Sequence, residues 1–148
     1  MRTIKKKGTN MKIDFSAIKL EIIDLCVNYA PDMFVNQKGV SFSKRLLEDL
    51  GYPQFVQYCV DPQNKIFAVR VCKGSEAKAT AFSKPKNEQL KHVSCSNKNL
   101  RDTIFALIPN GVNNQRYKIT GEYDGENRVM YFDMTTAQIQ NYHKTSNK

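Results

Sequence analysis

Two short cationic patches carry the clearest chemistry in this 148-residue sequence. Lys44 and Arg45 stand directly after Ser43, and Lys98 and Arg101 follow Ser96, with Asn97 and Asn99 beside them. Serine is a favoured N-cap, so both patches fall in the first turns of short helices. A cation there opposes the helix dipole at a cost of about 0.3–1 kcal/mol. Several together are locally unfavourable unless a polyanion compensates. Lys or Arg at such a helix end can reach guanine O6 and N7 in the major groove, and Asn can pair with adenine N6 and N7. The competing reading is an ordinary solvated helix face.

The elements that hold these patches come in two copies. Val40-Ser41-Phe42-Ser43-Lys44-Arg45-Leu46-Leu47-Glu48-Asp49 returns in altered form as Val93-Ser94-Cys95-Ser96-Asn97-Lys98-Asn99-Leu100-Arg101-Asp102. A hairpin pattern follows each copy, turning at Asp61-Pro62-Gln63-Asn64 and at Asp124-Gly125-Glu126-Asn127. A repeated helix-and-hairpin order inside one small chain predicts an internal pseudo-dimer. Pseudo-symmetric basic proteins suit a pseudo-symmetric polyanion such as duplex DNA.

The first unit reads as a short strand at Val40 and Phe42, a helix over residues 44–50 stopped by Gly51, and strands over 55–60 and 65–72. The second reads as a longer helix with Leu100, Ile104, Leu107 and Ile108 on its apolar stripe, ended by Pro109-Asn110-Gly111. Strands over 116–123 and 128–134 follow it. Ahead of both units, Phe15, Ile18, Ile22, Cys26 and Tyr29 recur in steps of three and four, which predicts a helix over 14–29. Asp14 or Ser16 would cap it, and Pro31 would end it. Residues 1–12 read as a flexible basic arm in which Met11 offers an alternative start. Residues 13–136 read as one compact domain of two units (13–73 and 90–136), and residues 137–148 as a flexible tail.

Composition narrows the partners. Lys and Arg number 23 against 14 Asp and Glu, a formal net charge of +9, which favours polyanions, nucleic acid first and anionic lipid second. Lys65 and Arg128 sit at matching hairpin tips, where a wing would lay them on phosphates. Arg70, Arg116 and Lys118 extend the basic surface, and Lys38, Lys84, Lys86 and Lys91 add non-specific phosphate contacts. Tyr52 and Tyr58 could stack on unpaired bases, though periodicity assigns most aromatics to the core.

Catalysis finds little support. His92 and His143 belong to no metal or nucleophile spacing, and no glycine loop for phosphate is present. We expect no enzyme activity, no cofactor and no metal. No apolar run approaches the roughly 20 residues that span a bilayer. The basic N-terminal start lacks an apolar stretch behind it, so the expected location is the cytoplasm. Cys26, Cys59, Cys72 and Cys95 are widely spaced and read as buried reduced thiols.

The paired units at residues 40–64 and 93–127 resemble the TraN-like small DNA-binding accessory proteins of Gram-positive conjugative plasmids. That resemblance implies an α+β internal dimer, with a central antiparallel sheet and winged-helix-like helix-turn-helix units at both ends. It also implies a monomer that binds double-stranded DNA, as a relaxosome accessory factor partnered by a relaxase or other transfer proteins, or as a regulator of transfer genes. The first helix of each helix-turn-helix is not evident here, which leaves open which helix would enter the groove. The alternatives are an interaction module of a secretion or phage assembly and a single-stranded nucleic-acid binder.

Overall fold

The computed structural model describes residues 5–7, 10–23 and 30–140. The described chain runs β1 (Lys5–Lys7), β2 (Asn10–Lys12), β3 (Asp32–Val35), β4 (Val40–Phe42), α1 (Lys44–Leu50), β5 (Phe55–Asp61), β6 (Ile66–Cys72), β7 (Thr80–Ala81), β8 (Val93–Cys95), α2 (Lys98–Phe105), β9 (Tyr117–Thr120), β10 (Glu122–Asp124), β11 (Val129–Asp133) and β12 (Gln138–Ile139). β1 and β2 form a separate antiparallel pair. The other strands build two antiparallel five-stranded sheets, ordered β12-β9-β3-β4-β8 and β10-β11-β6-β5-β7.

The sheets share one core. Alternate residues point inward: Met33, Val35, Phe42 and Ile119 from the first sheet, and Val56, Phe67, Val69, Met130 and Phe132 from the second. Leu46, Leu47 and Leu50 of α1 and Ile104 of α2 fill the space between, each fully buried. Burial of each such side chain contributes about 1.5–3 kcal/mol.

Short-range chemistry sets the elements. Ser43 caps α1 by accepting from the Leu46 N–H, and the same hydroxyl accepts from the Asp32 N–H and donates to the Ala30 carbonyl, both at 3.0 Å. It thus ties the helix start to the start of β3. Gly51 ends α1 at φ 82, a left-handed conformation that glycine adopts without penalty. The two hairpin turns are built alike. Asp61 accepts from the backbone N–H and side-chain amide of Asn64, Asp124 does the same for Asn127, and Lys65 and Arg128 follow at φ 59 and 56. At Gly121 the chain leaves the first sheet as β9 and enters the second as β10. A Cβ there would come within 2.9 Å of Met130 and Phe132, so glycine permits the corner.

The observed architecture overturns the expected fold class. The protein is mainly β, and α1 and α2 are short helices whose apolar faces are sealed in the core. Among the described residues, no helix-turn-helix or winged-helix unit stands at either end. The helix expected over 14–29 is absent from its described part. Only a 3-10 turn, Phe15–Ala17, forms there, with Asp14 as its cap, while residues 18–23 are exposed and in no regular element. The remainder of that stretch, and Cys26, lie outside the described residues, as do His143 and residues 141–148 of the expected tail. Within 137–140, Gln138 and Ile139 pair with β9. Asn97, not Ser96, caps α2, because its longer side chain reaches the Leu100 N–H at 2.9 Å. Cys59, Cys72 and Cys95 are free thiols, half-buried rather than buried.

Candidate nucleic-acid interface

The two matched strands lie side by side. β4 and β8 pair antiparallel, with Val40 opposite Cys95, Ser41 opposite Ser94 and Phe42 opposite Val93. A local two-fold axis therefore passes between the corresponding residues Ser41 and Ser94. In the second sheet, β6 and β11 pair with Ala68 opposite Tyr131, again the corresponding positions of the two hairpins.

On the outer face of the first sheet, Lys118, Phe34, Ser41 and Ser94 form one row across β9, β3, β4 and β8. The Arg116 guanidinium lies over the Phe34 ring, 4.4 Å from its centroid. A groove of about 590 Å³ opens here between Phe34, Ser41, Ser43, Lys44, Leu90, Lys91, His92 and Arg116. It continues past Asn36, Lys38, Gly39, Ser94 and Ser96. Among the described residues, no carboxylate lines either part. Asp32, on the same face of β3, is buried and accepts from the Thr120 hydroxyl at 2.6 Å.

Besides Arg116 and Lys118, four lysines near this face fall in two clusters. Lys44, on the first turn of α1, shares the groove with Lys91, which precedes β8. Lys98, on the first turn of α2, shares a depression with Lys38, which precedes β4. Lys38 and Lys91 stand at matching positions before their strands, so each helix start is joined by the pre-strand lysine of the other unit. The two clusters lie off opposite ends of β4.

The remaining sequence-predicted residues are placed differently. Arg101 is 7 % exposed and serves the fold. It donates to the Asn36 carbonyl at 2.9 Å and to the Asn113 side chain at 2.6 Å, pairs with Asp102 at 3.1 Å, and lies over the Phe105 ring. Asn97 is spent as the cap of α2, and Asn99 is exposed beside it. Arg45 pairs with Asp49 at 3.0 Å and Lys98 with Asp102 at 2.6 Å, both within one helical turn. Hydrogen bonds from Lys98 and then Arg101 hold the Asp102 carboxyl below its ordinary range. Lys65, Arg70 and Arg128 belong to the second sheet. Arg128 donates to the Leu50 carbonyl at the end of α1 at 2.8 Å, and Arg70 donates to Gln57 at 3.0 Å.

Sequence reasoning misses the centre of this face. It gives Phe34 and His92 no functional role, because it does not recognise β3 and finds His92 in no metal or nucleophile spacing. The available signal is the alternation Asp32-Met33-Phe34-Val35, which places Phe34 outward.

Among the described residues, no group of His, Cys, Asp and Glu could hold a metal ion, and no helix is long and apolar enough to cross a membrane. Comparison with protein-family models, curated proteins and solved structures finds no match to this chain.

Proposed function

We propose that this protein binds duplex DNA without catalysing a reaction, using the outer face of the β12-β9-β3-β4-β8 sheet. One observation carries the reading: Lys44 and Lys91 at one end of the Ser41–Ser94 pair, and Lys38 at the other, line a groove that no described carboxylate lines, with Lys98 in an adjoining depression where it pairs with Asp102. Duplex DNA offers two backbones related by dyads perpendicular to its axis. Clusters off opposite ends of one ladder suit phosphates on two different backbones. The polar row Lys118, Ser41 and Ser94 would then face the base edges, and Lys or Arg contacts to phosphate would supply most of the affinity.

A second reading rests on Phe34. An aromatic ring on a basic sheet face, with an arginine stacked on it, also suits single-stranded nucleic acid. Fluorescence anisotropy with matched duplex and single-stranded oligonucleotides across a salt series separates the two. Duplex preference with a steep salt slope is expected; tighter binding of single strands transfers the function to the second reading, and affinity for neither removes both.

The role implied by the TraN-like resemblance, a transfer accessory factor or a regulator of transfer genes, is part of this proposal. Fragment selection from a library containing transfer-origin and promoter DNA tests it.

A further inference from the structure

We propose that residues 18–23 of a second copy of this chain add as a strand to the free edge of β8, and that the exchange is reciprocal within a closed dimer. The local two-fold relation supplies the argument. The far side of β4 is occupied by β3, with Met33, Phe34 and Val35 opposite Phe42, Ser41 and Val40. The far side of β8 is the equivalent position, and among the described residues no strand pairs there. An uncovered edge offers its N–H and C=O groups to another chain.

The same chain carries an unused strand sequence. Ile18-Lys19-Leu20-Glu21-Ile22 alternates apolar and charged residues, the period of a half-buried strand. Ile18 already has extended dihedrals, φ −87 and ψ 132. Leu20 is 92 % and Ile22 99 % exposed, so both side chains stand in water. Their spacing matches Met33 and Val35, the inward pair of β3, and would leave Lys19 and Glu21 facing outward. This stretch precedes β3, which lies across β4 from β8. To reach the β8 edge of its own molecule it would have to cross the sheet. Two copies exchanging the stretch about a two-fold axis fill both edges and leave neither segment exposed.

The added strand would border the groove at Ser94, with Lys19 and Glu21 on its outer face; the test uses no nucleic acid, so its failure is distinct from failure of the nucleic-acid reading. The test is the mass of the full chain by sedimentation over a wide concentration range, with hydrogen exchange at Ser94, the β8 residue whose N–H faces away from β4. The expected result is a two-chain mass at high concentration, with protection of that amide rising alongside it. The L20K/I22K double variant should melt as the dilute, single-chain wild type does and remain a single chain at high concentration. A wild-type protein that stays a single chain throughout overturns the proposal. A two-chain mass retained by L20K/I22K does so too, as does full protection of the Ser94 amide in the single-chain form.

Discussion

Ser41 faces Ser94 across the β4–β8 ladder, and each holds the same place in its own copy of the strand-and-helix sequence. An antiparallel pair centred on corresponding residues has two-fold symmetry by construction. The register therefore sends α1 and α2 off opposite ends of one ladder, and puts the lysine before each strand beside the helix start of the other unit. A one-residue slip would turn Val40 and Phe42 out of the core, so burial of those side chains fixes the register.

The two lysine pairs make a prediction for binding. K44E/K91E and K38E/K98E should each weaken duplex affinity, K38E/K98E by less, because Lys98 already pairs with Asp102 at 2.6 Å. For every phosphate no longer neutralised, the slope of log K against log salt should become shallower by about 1. K65E/R70E, on the second sheet, should bind nearly as the wild type does. Equal weakening by all three double variants would point to net charge, not this face, as the source of affinity.

Arg101 should behave as a residue of the core. Replacing it with leucine orphans the Asn36 carbonyl and the Asn113 side chain, a cost of about 1–3 kcal/mol. For a chain of this length, Tm should fall by about 2–4 °C per kcal/mol. Below the melting transition, R101L should keep most of its duplex affinity. A large drop in affinity with unchanged Tm would return Arg101 to the interface.

The first helix with its caps and the two hairpin turns were legible because their signals are local. Serine before a helix, glycine after it, and Asp-x-x-Asn closing a hairpin each satisfy backbone groups within a few residues. The sequence misled over 14–29 because Phe15, Ile18 and Ile22 fit a helical period while Lys19-Leu20-Glu21-Ile22 fits a strand period equally well. The burial of Arg101 was not legible in the chain alone. Its partners, Asn36 and Asn113, come from other loops, and only Phe105, one helical turn on, hinted at an inward-facing guanidinium. The winged-helix expectation failed for a related reason. Helix N-terminal cations looked like recognition groups, yet both helices are short and use their apolar faces to close the core.

Tyr58 should set the alkaline limit of stability. Burial holds its phenol above the ordinary range, and Cys95 adds to the shift. The ring stacks near Phe42 and Phe67, so ionisation would place a charge among aromatics. A folded pKa above the unfolded value, about 10, gives stability that is complete below that pH and lost as pH rises beyond it. Melting curves for Y58F should therefore decline less than wild type above about pH 10. Parallel decline of the two proteins would assign the alkaline limit to other groups.

At low pH the paired turns should matter together. Hydrogen bonds from the Asn64 side chain, then its backbone, hold the Asp61 carboxyl below its ordinary range, and Asn127 does the same for Asp124. A depressed folded pKa contributes stability above the unfolded value, about 3.9, and that contribution is lost as pH falls through the folded value. Both turns also hold Lys65 and Arg128 at positive φ, a conformation that lysine and arginine rarely adopt. Protonation of either aspartate weakens the acceptor that closes its turn. D61N/D124N should thus melt lower than wild type near neutral pH, and the gap should narrow as pH falls below about 4. A gap that stays constant into acid would show that the two carboxylates titrate without coupling to the fold.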